Sequence, residues 1–558
     1  MKRTMSKSRR STRASWHRSG LQLALGILIW GAKPTAAPAY EAATTLAGLT
    51  EQAALSSRLH RRLIDRFGYS LGLFEPLRLN LSTLPEDRAR SLHVGMLALD
   101  GGQGYAPESL ARTSGQSLQS RQQHILGWLT AGSVLETLPT SRERHHFFEP
   151  RSGRGLYRPA TQTATSAAAQ SVQDGMSSVR DLLAGAAIDG TGVAAPDWVS
   201  SPHNDLGVAT FMAAYERAVV SESPLSRETA LVETLLSAGA ILAVLEQMGD
   251  PAYVRNDLAA ALDGSYQRLV AERYGRAAIP APSAAASEVP TPVRLRDLFT
   301  TGPDRTSDGS KSDLGHGLAE RTATRFFSLN TLPGLPLGEL PRLTASPLST
   351  SRLDSEPSGR SVAEITAPKG FPVASFGYAR APQADHLTAW TRRNATSSDG
   401  QSLARVHFSL DERCYADYAT KLLPEIGRYA QRALDFLFRG ELALQLADGG
   451  QSLTVRAAES LLGSGSLTLL GEQPEGTREK LTTVATLPAR PGSTLHTFSL
   501  SEVKPAKAPF VRYVVLFQGR DGNSEAMITS AILSMPRPEQ AGSPAPDAKA
   551  SEPESETK

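Results

Sequence analysis

Cysteine is almost absent: one residue, Cys414, in 558. An intrachain disulfide framework is therefore impossible, and packed cores must hold the chain together. No local signature names a base beside Cys414, so it reads as a buried structural thiol. Aromatic residues are sparse at 6%. Acidic residues are missing from the first 39 positions, which hold eight Lys/Arg. Removing those eight cations from a net charge of +3 leaves −5. A mildly acidic remainder has no global attraction for nucleic acid, which argues against a nuclease. Histidine is missing between Tyr253 and Asp313, and no segment after the leader approaches a membrane-spanning run.

The leader itself is informative. A basic, serine-rich start runs into the twelve mainly apolar residues Leu21 to Ala32, followed by Ala37-Pro38-Ala39. That order reads as a secretory signal peptide over residues 1–39, with an apolar run too short to span a bilayer. An uncleaved N-terminal anchor is the alternative. Ser8-Arg9-Arg10 adds a hint of twin-arginine export. The expected location is exported, whether periplasmic, outer-surface or extracellular, with Tyr40 as the new N-terminus.

At 558 residues, with 40% hydrophobic and 21% charged content, the remainder is long enough for two or three soluble domains. Helical spacing dominates residues 40–440. An apolar stripe predicts a helix over about Leu49 to Phe67, in which His60 is a surface or packing histidine. Residues 160–190 are helix-compatible. Two long helices are expected over Asn204–Ser221 and Ser226–Met248, then a third over about Ala252–Tyr274. Pro/Ser/Gly-rich text over about 277–315 and 332–372 reads as irregular insertions. Asp411 to Phe438 is helical, with Pro424 able to kink it.

After Arg439-Gly440 the period shifts from 3.6 to 2. Ser452–Arg456, Ser466–Leu470, Leu481–Ala485, Leu495–Leu500, Val511–Phe517 and Ile528–Leu533 read as short strands with Asp-Gly turns between some of them. About a hundred residues in this pattern predict an antiparallel β-sandwich over 441–536. Residues 537–558 read as a disordered tail. The fold class is multidomain: a mainly α-helical domain followed by a β-sandwich.

Gly239 to Asp257 (GAILAVLEQMGDPAYVRND) carries a further likeness. It resembles the helix of the three-zinc phospholipases C and single-strand nucleases, which bears His-x3-Asp and ends in Pro-x-His. The frame matches at Gly239, Leu245, Met248, Pro251 and Val254-Arg255-Asn256-Asp257, but the three ligand positions fall on Ala243, Gln247 and Tyr253. Leu126 to Thr137 resembles the family helix ending in Glu-Asp, with Glu136 kept and Thr137 in place of the Asp. His146-Phe147-Phe148-Glu149-Pro150 resembles the family's His-Phe-aromatic-Asp-Pro, so His146 stands at a ligand position. Near the mature N-terminus, Thr45-Leu46 replaces a Thr-His pair. The family's last pair, His-x3-Glu, has one counterpart of that spacing downstream, His316 and Glu320, although a histidine flanked by Gly315 and Gly317 reads more simply as a loop residue at a helix start.

The resemblance implies a phospholipase C-like scaffold whose zinc site is degenerate. His146 is retained, Glu136, His316 and Glu320 are candidate ligands, and Leu46, Thr137, Ala243, Gln247 and Tyr253 are substituted. A catalytic zinc needs three or more protein ligands. The expectation is a secreted, non-catalytic relative with no cofactor and a binding or envelope role. The β-sandwich would meet lipid or envelope surfaces, although no Asp-rich calcium loop is present in it. The alternative is a working phosphodiesterase using zinc on the reduced set. A third reading is a helical secreted protein whose likeness is chance.

Overall fold

The computed structural model describes residues 41–100, 120–157, 191–282, 289, 291–302, 315–332, 352–355, 373–396, 402–458, 461–502 and 510–535. The leader, residues 160–190 and the C-terminal tail lie outside them.

The helical part opens with a tight turn over Ala42–Leu46, then α1 (Ala47–Ser56) and α2 (Leu59–Phe67). The single helix expected over Leu49–Phe67 is thus two. Ser57 is extended, and its hydroxyl donates to the Ala54 carbonyl and accepts from the Leu59 N–H. Short side chains of this kind compete for backbone groups and end a helix locally. A small hairpin follows, β1 (Pro76–Asn80) paired with β2 (Ser120–His124), with α3 (Glu86–Leu99) between them in sequence.

Next come α4 (Ile125–Leu135), α5 (Ala195–Trp198), α6 (Val208–Val220) and α7 (Pro224–Glu246). The helix expected over Ala252–Tyr274 is three pieces: α8 (Pro251–Val254), α9 (Leu258–Asp263) and α10 (Ser265–Tyr274). Asn256 and Gly264 both have positive φ, and the Asp257 side chain accepts from the Ala260 N–H. The chain turns at each, where a side-chain cap or a glycine makes the turn cheap. α11 (Leu318–Arg325) follows.

A whole sheet was invisible in the sequence pattern. β3 (Arg352–Ser355), β4 (Val373–Ala381), β5 (Ala384–Thr396) and β6 (Ser402–Ser409) form a four-stranded antiparallel sheet in that order. β3 lies inside the 332–372 stretch read as irregular. The sheet leans on α12 (Glu412–Leu437), which runs through Pro424 as one helix. Ala379, Ala384 and Leu387 join the helical core there.

The C-terminal part comprises β7 (Leu442–Ala447), β8 (Ser452–Ala457), β9 (Leu462–Glu472), β10 (Arg478–Thr486), β11 (Thr494–Ser499), β12 (Arg512–Asp521) and β13 (Ala526–Ser534). They make a sheet of order β10-β9-β12-β13 facing one of order β11-β8-β7. Leu453, Val455, Leu467, Leu469, Val515 and Phe517 fill the space between the sheets. This is the expected sandwich.

Its four-stranded sheet is covered on both faces. Alternate residues Leu470, Val514, Leu516 and Ile528 belong to the helical core instead. A strand buried on both sides reads as a continuous apolar run, as Tyr513–Phe517 does. Across this seam the Tyr215 and Ser530 hydroxyls meet at 3.2 Å, and Arg66 donates to the Phe438 and Gly440 carbonyls. The sandwich is built into the helical part.

Candidate functional site

Two helices position the site. α4 and α7 cross backbone to backbone because both carry glycine at the crossing. A Cβ on Gly132 would sit 2.2 Å from the Leu236 carbonyl oxygen, and one on Gly239 would sit 1.9 Å from that of Leu129. Both distances are far inside van der Waals contact, so no side chain is tolerated at either position. The C-terminal end of α4 then delivers Glu136 and Thr137, and that of α7 delivers Ala243 and Gln247.

At the α4 end the chain turns through Thr140–His145 and brings Arg142 and His146 back onto Glu136. Glu136 is fully buried. Its Oε2 accepts from Arg142 Nη2 at 2.6 Å. Its Oε1 accepts from Trp198 Nε1 at 2.8 Å and lies 3.2 Å from His146 Nε2. Burial alone would raise the carboxyl's pKa, but the His146 hydrogen bond and the Arg142 charge outweigh it, and the group is held below its ordinary range. Arg142 also reaches Asp205 Oδ1 at 2.7 Å and Asn204 Oδ1 at 2.8 Å, and its guanidinium lies 5.4 Å from the Trp198 ring centroid. His145 stacks on the same Trp198 ring, with centroids 4.1 Å apart. Burial and the neighbouring Arg144 lower the His145 pKa to about 4, so its ring is neutral at pH 7.

The five substituted ligand positions are all neutral side chains. Ala243, Gln247 and Leu46 are fully buried, Tyr253 is 1% exposed and Thr137 4%. Tyr253 stacks on Phe147 at 4.4 Å, and the Thr137 hydroxyl donates to the Val134 carbonyl. Among the described residues, neither Oε1 nor Nε2 of Gln247 has a hydrogen-bond partner, and the same holds for Thr45 Oγ1 and His146 Nδ1. Glu246, one residue before Gln247, is also fully buried, with the Thr50 hydroxyl at 3.0 Å. Burial raises its pKa well above the usual carboxylate range.

The structure therefore brings Glu136 and His146 together but gives Glu320 another use. Glu320 accepts from the Gly317 N–H at 2.9 Å, capping the start of α11. It also accepts from the Thr300 hydroxyl, the Thr301 N–H and the Gly302 N–H. A carboxylate filled by that many donors has no lone pair directed at a metal. His316 is exposed, and its backbone ties to Thr301 and Tyr429. Among the described residues, no group of three or more His, Cys, Asp or Glu side chains could hold a metal. The donor set does not fit the implied zinc centre: Glu136 is saturated by an arginine, an indole and an imidazole, and five further positions carry weak zinc ligands or none.

Sequence reasoning missed Arg142, Trp198, Asn204 and Asp205, which close the Glu136 cluster, and the acid Glu246. Glu246 had a visible signal, being an acid inside the apolar run Ile241–Met248. Trp198 and Asn204 lie more than sixty residues from Glu136 and had none. Cys414 is buried as expected, and burial pushes its thiol up to about 12.

No protein-family model matches the chain, and no curated protein matches it. Among solved structures it is similar to the alpha toxin of Clostridium absonum, with a TM-score of 0.22 and 10% identity, covering 80% of this chain and 91% of that one. For the Clostridium perfringens alpha-toxin from an avian strain the TM-score is 0.21 and the identity 10%, covering 80% and 97%. Likenesses at this level assign no activity, and the helical part followed by a β-sandwich stands on the chain's own topology.

Proposed function

We propose that this chain is a non-catalytic, exported relative of the zinc phospholipases C that works by binding rather than by hydrolysis. One observation carries the reading. The retained ligand position His146 and the candidate ligand Glu136 are locked into a buried cluster with Arg142 and Trp198. A guanidinium 2.6 Å from the carboxylate stands where a dication would need to sit. Two positive charges cannot share that dry site without a large repulsion. No cofactor is part of the proposal.

The binding face is proposed to be one end of the β-sandwich. Leu487 is 83% exposed and Leu461 45%. The Leu462–Ala489 bridge and the Gly522 N–H to Leu461 carbonyl bond bring their loops to the same end. Arg490 and Arg520 are exposed beside them. Apolar tips with flanking cations suit an anionic lipid surface.

The test is flotation of the full mature chain with anionic vesicles, alongside phosphodiester hydrolysis with added zinc. Vesicle binding lost in Leu487→Asp, without hydrolysis, supports the proposal. Hydrolysis abolished by His146→Ala contradicts it and returns the reduced-site phosphodiesterase.

A further inference from the structure

A second cleft lies apart from the Glu136 cluster. It opens where α8 and α10 meet α12 and the loop after α11, lined by Asp250, Asp263, Gln267, Phe327, Tyr415 and Tyr418. None of the residues assigned to the zinc set lines it. It reaches the surface beside Asp263 and Leu329.

Its lining is short of positive charge and rich in acceptors. Asp250 is 1% exposed. Its Oδ1 accepts from the Ala252 N–H at 2.9 Å and its Oδ2 from Gln267 Nε2, and neither donor is charged. Burial pushes the Asp250 carboxyl up to about 7, as expected for a dry acid lacking a counter-charge. Gln267 is 3% exposed, and its carbonyl Oε1 accepts nothing among the described residues. An unsatisfied buried carbonyl of this kind is costly and calls for a donor.

Tyr266, Phe327, Tyr415 and Tyr418 add aromatic surface to the wall. Tyr415 and Tyr418 sit with ring centroids 6.4 Å apart, and Tyr266 approaches Tyr415 at 5.7 Å. The Tyr418 hydroxyl is already engaged, donating to the Leu387 carbonyl at 2.6 Å. What remains to it is its ring. Carboxylate, carbonyl and ring faces together suit a small cation that also donates hydrogen bonds.

Size and charge narrow the class. The cavity volume is about 20 Å³, room for about one water-sized particle. A quaternary ammonium is too large. Calcium and magnesium demand about six or more oxygen ligands, zinc needs at least three protein ligands, and among the described residues no group of three His, Cys, Asp or Glu side chains is present. We propose that the Asp250–Gln267 cleft binds an ammonium group, either the free ion or the head of a primary amine whose tail leaves past Asp263.

The experiment is thermal unfolding of the full mature chain in ammonium chloride, ethylamine hydrochloride, tetramethylammonium chloride and sodium chloride at equal ionic strength. A ligand that binds only the native state raises the midpoint in a saturable way. The expected result is a saturable rise with ammonium and none with tetramethylammonium or sodium. The ethylamine arm separates the two sources: a rise there identifies amine heads as ligands, and its absence restricts the site to the free ion. Gln267→Met keeps the volume and removes the acceptor, and should raise the half-saturating ammonium concentration at least tenfold. Asp263→Asn, at the partly exposed mouth, provides the same test if Gln267→Met does not fold. An equal rise in sodium chloride, no rise with ammonium, or half-saturation unchanged in both variants would overturn the proposal. The zinc and vesicle results do not bear on it.

Discussion

The two ends of the candidate site solve the same problem differently. At the α4 end a carboxylate survives in a dry interior, and every one of its oxygens is met by a donor, one of them Arg142. At the α7 end the charge is gone, and what remains is alanine, a stacked tyrosine and an amide with two unpaired atoms. A buried ionised acid is too costly to leave alone, whereas an unpaired amide costs only about 1–3 kcal/mol. The charged end therefore carries a counter-cation, Arg142, and the neutral end has no charge to balance. Between the extremes stand Glu246 and Glu143, buried acids with no cationic partner among the described residues. Burial raises the pKa of both, that of Glu143 to about 8, which favours the protonated form.

The largest effect expected from this contrast comes from cutting the charged end. Glu136→Ala leaves the Arg142 guanidinium with the half-exposed Asp205 as its carboxylate partner, and stability in a denaturant titration should drop by about 3 kcal/mol, the low end for a broken buried pair. Adding Arg142→Met should recover a good part of that loss. If the single variant costs under about 1 kcal/mol, the cluster is ornamental and the contrast between the ends disappears.

The next effect is on pH dependence. Glu143 rises from an ordinary 4.5 to about 8 on folding because it is buried. The folded state thus binds more protons than the unfolded state between those values. The stabilisation is full below about pH 4.5 and is lost as pH climbs towards 8, by up to about 1.4 kcal/mol per pH unit. Asp250 adds to the same slope below its value of about 7. Glu143→Gln should flatten the slope in urea midpoints measured from pH 5 to 8. A slope identical to that of the parent chain would show that Glu143 ionises freely.

The smallest effect is at the neutral end. Gln247→Met removes two unpaired polar atoms while keeping the length of the side chain, so it should stabilise by about 1 kcal/mol. A loss of stability instead would mean that the amide has a partner such as a bound water.

How much of this was legible in the chain varied with the range of the interactions. The long helices α7 and α12 and most strands of the sandwich followed from periodicity, because burial repeats at 3.6 or 2 residues whatever the partner is. The sheet formed by β3 to β6 did not, since its neighbours in sequence are rich in Pro, Ser and Gly, and the first sandwich strand, β7, was missed directly behind the end of α12. The break at Ser57 and the turns at Asn256 and Gly264 were lost because side-chain capping competes with propensity one residue at a time. At the site, Glu136 and His146 were paired through their likeness to known motifs. Arg142 sits six residues from Glu136, yet nothing in its surroundings marks it as the partner. Glu320 shows the opposite failure: a His-x3-Glu spacing that suggests a metal is here a helix cap.

The central claim is that the Glu136–Arg142–His146 cluster stands in place of a metal. It is tested most directly by zinc titration of the full mature chain, with bound zinc counted by elemental analysis and thermal unfolding followed in parallel. The account predicts well under one equivalent of zinc and an unchanged unfolding midpoint. One or more tightly held equivalents, with a raised midpoint that falls back in His146→Ala, would contradict it.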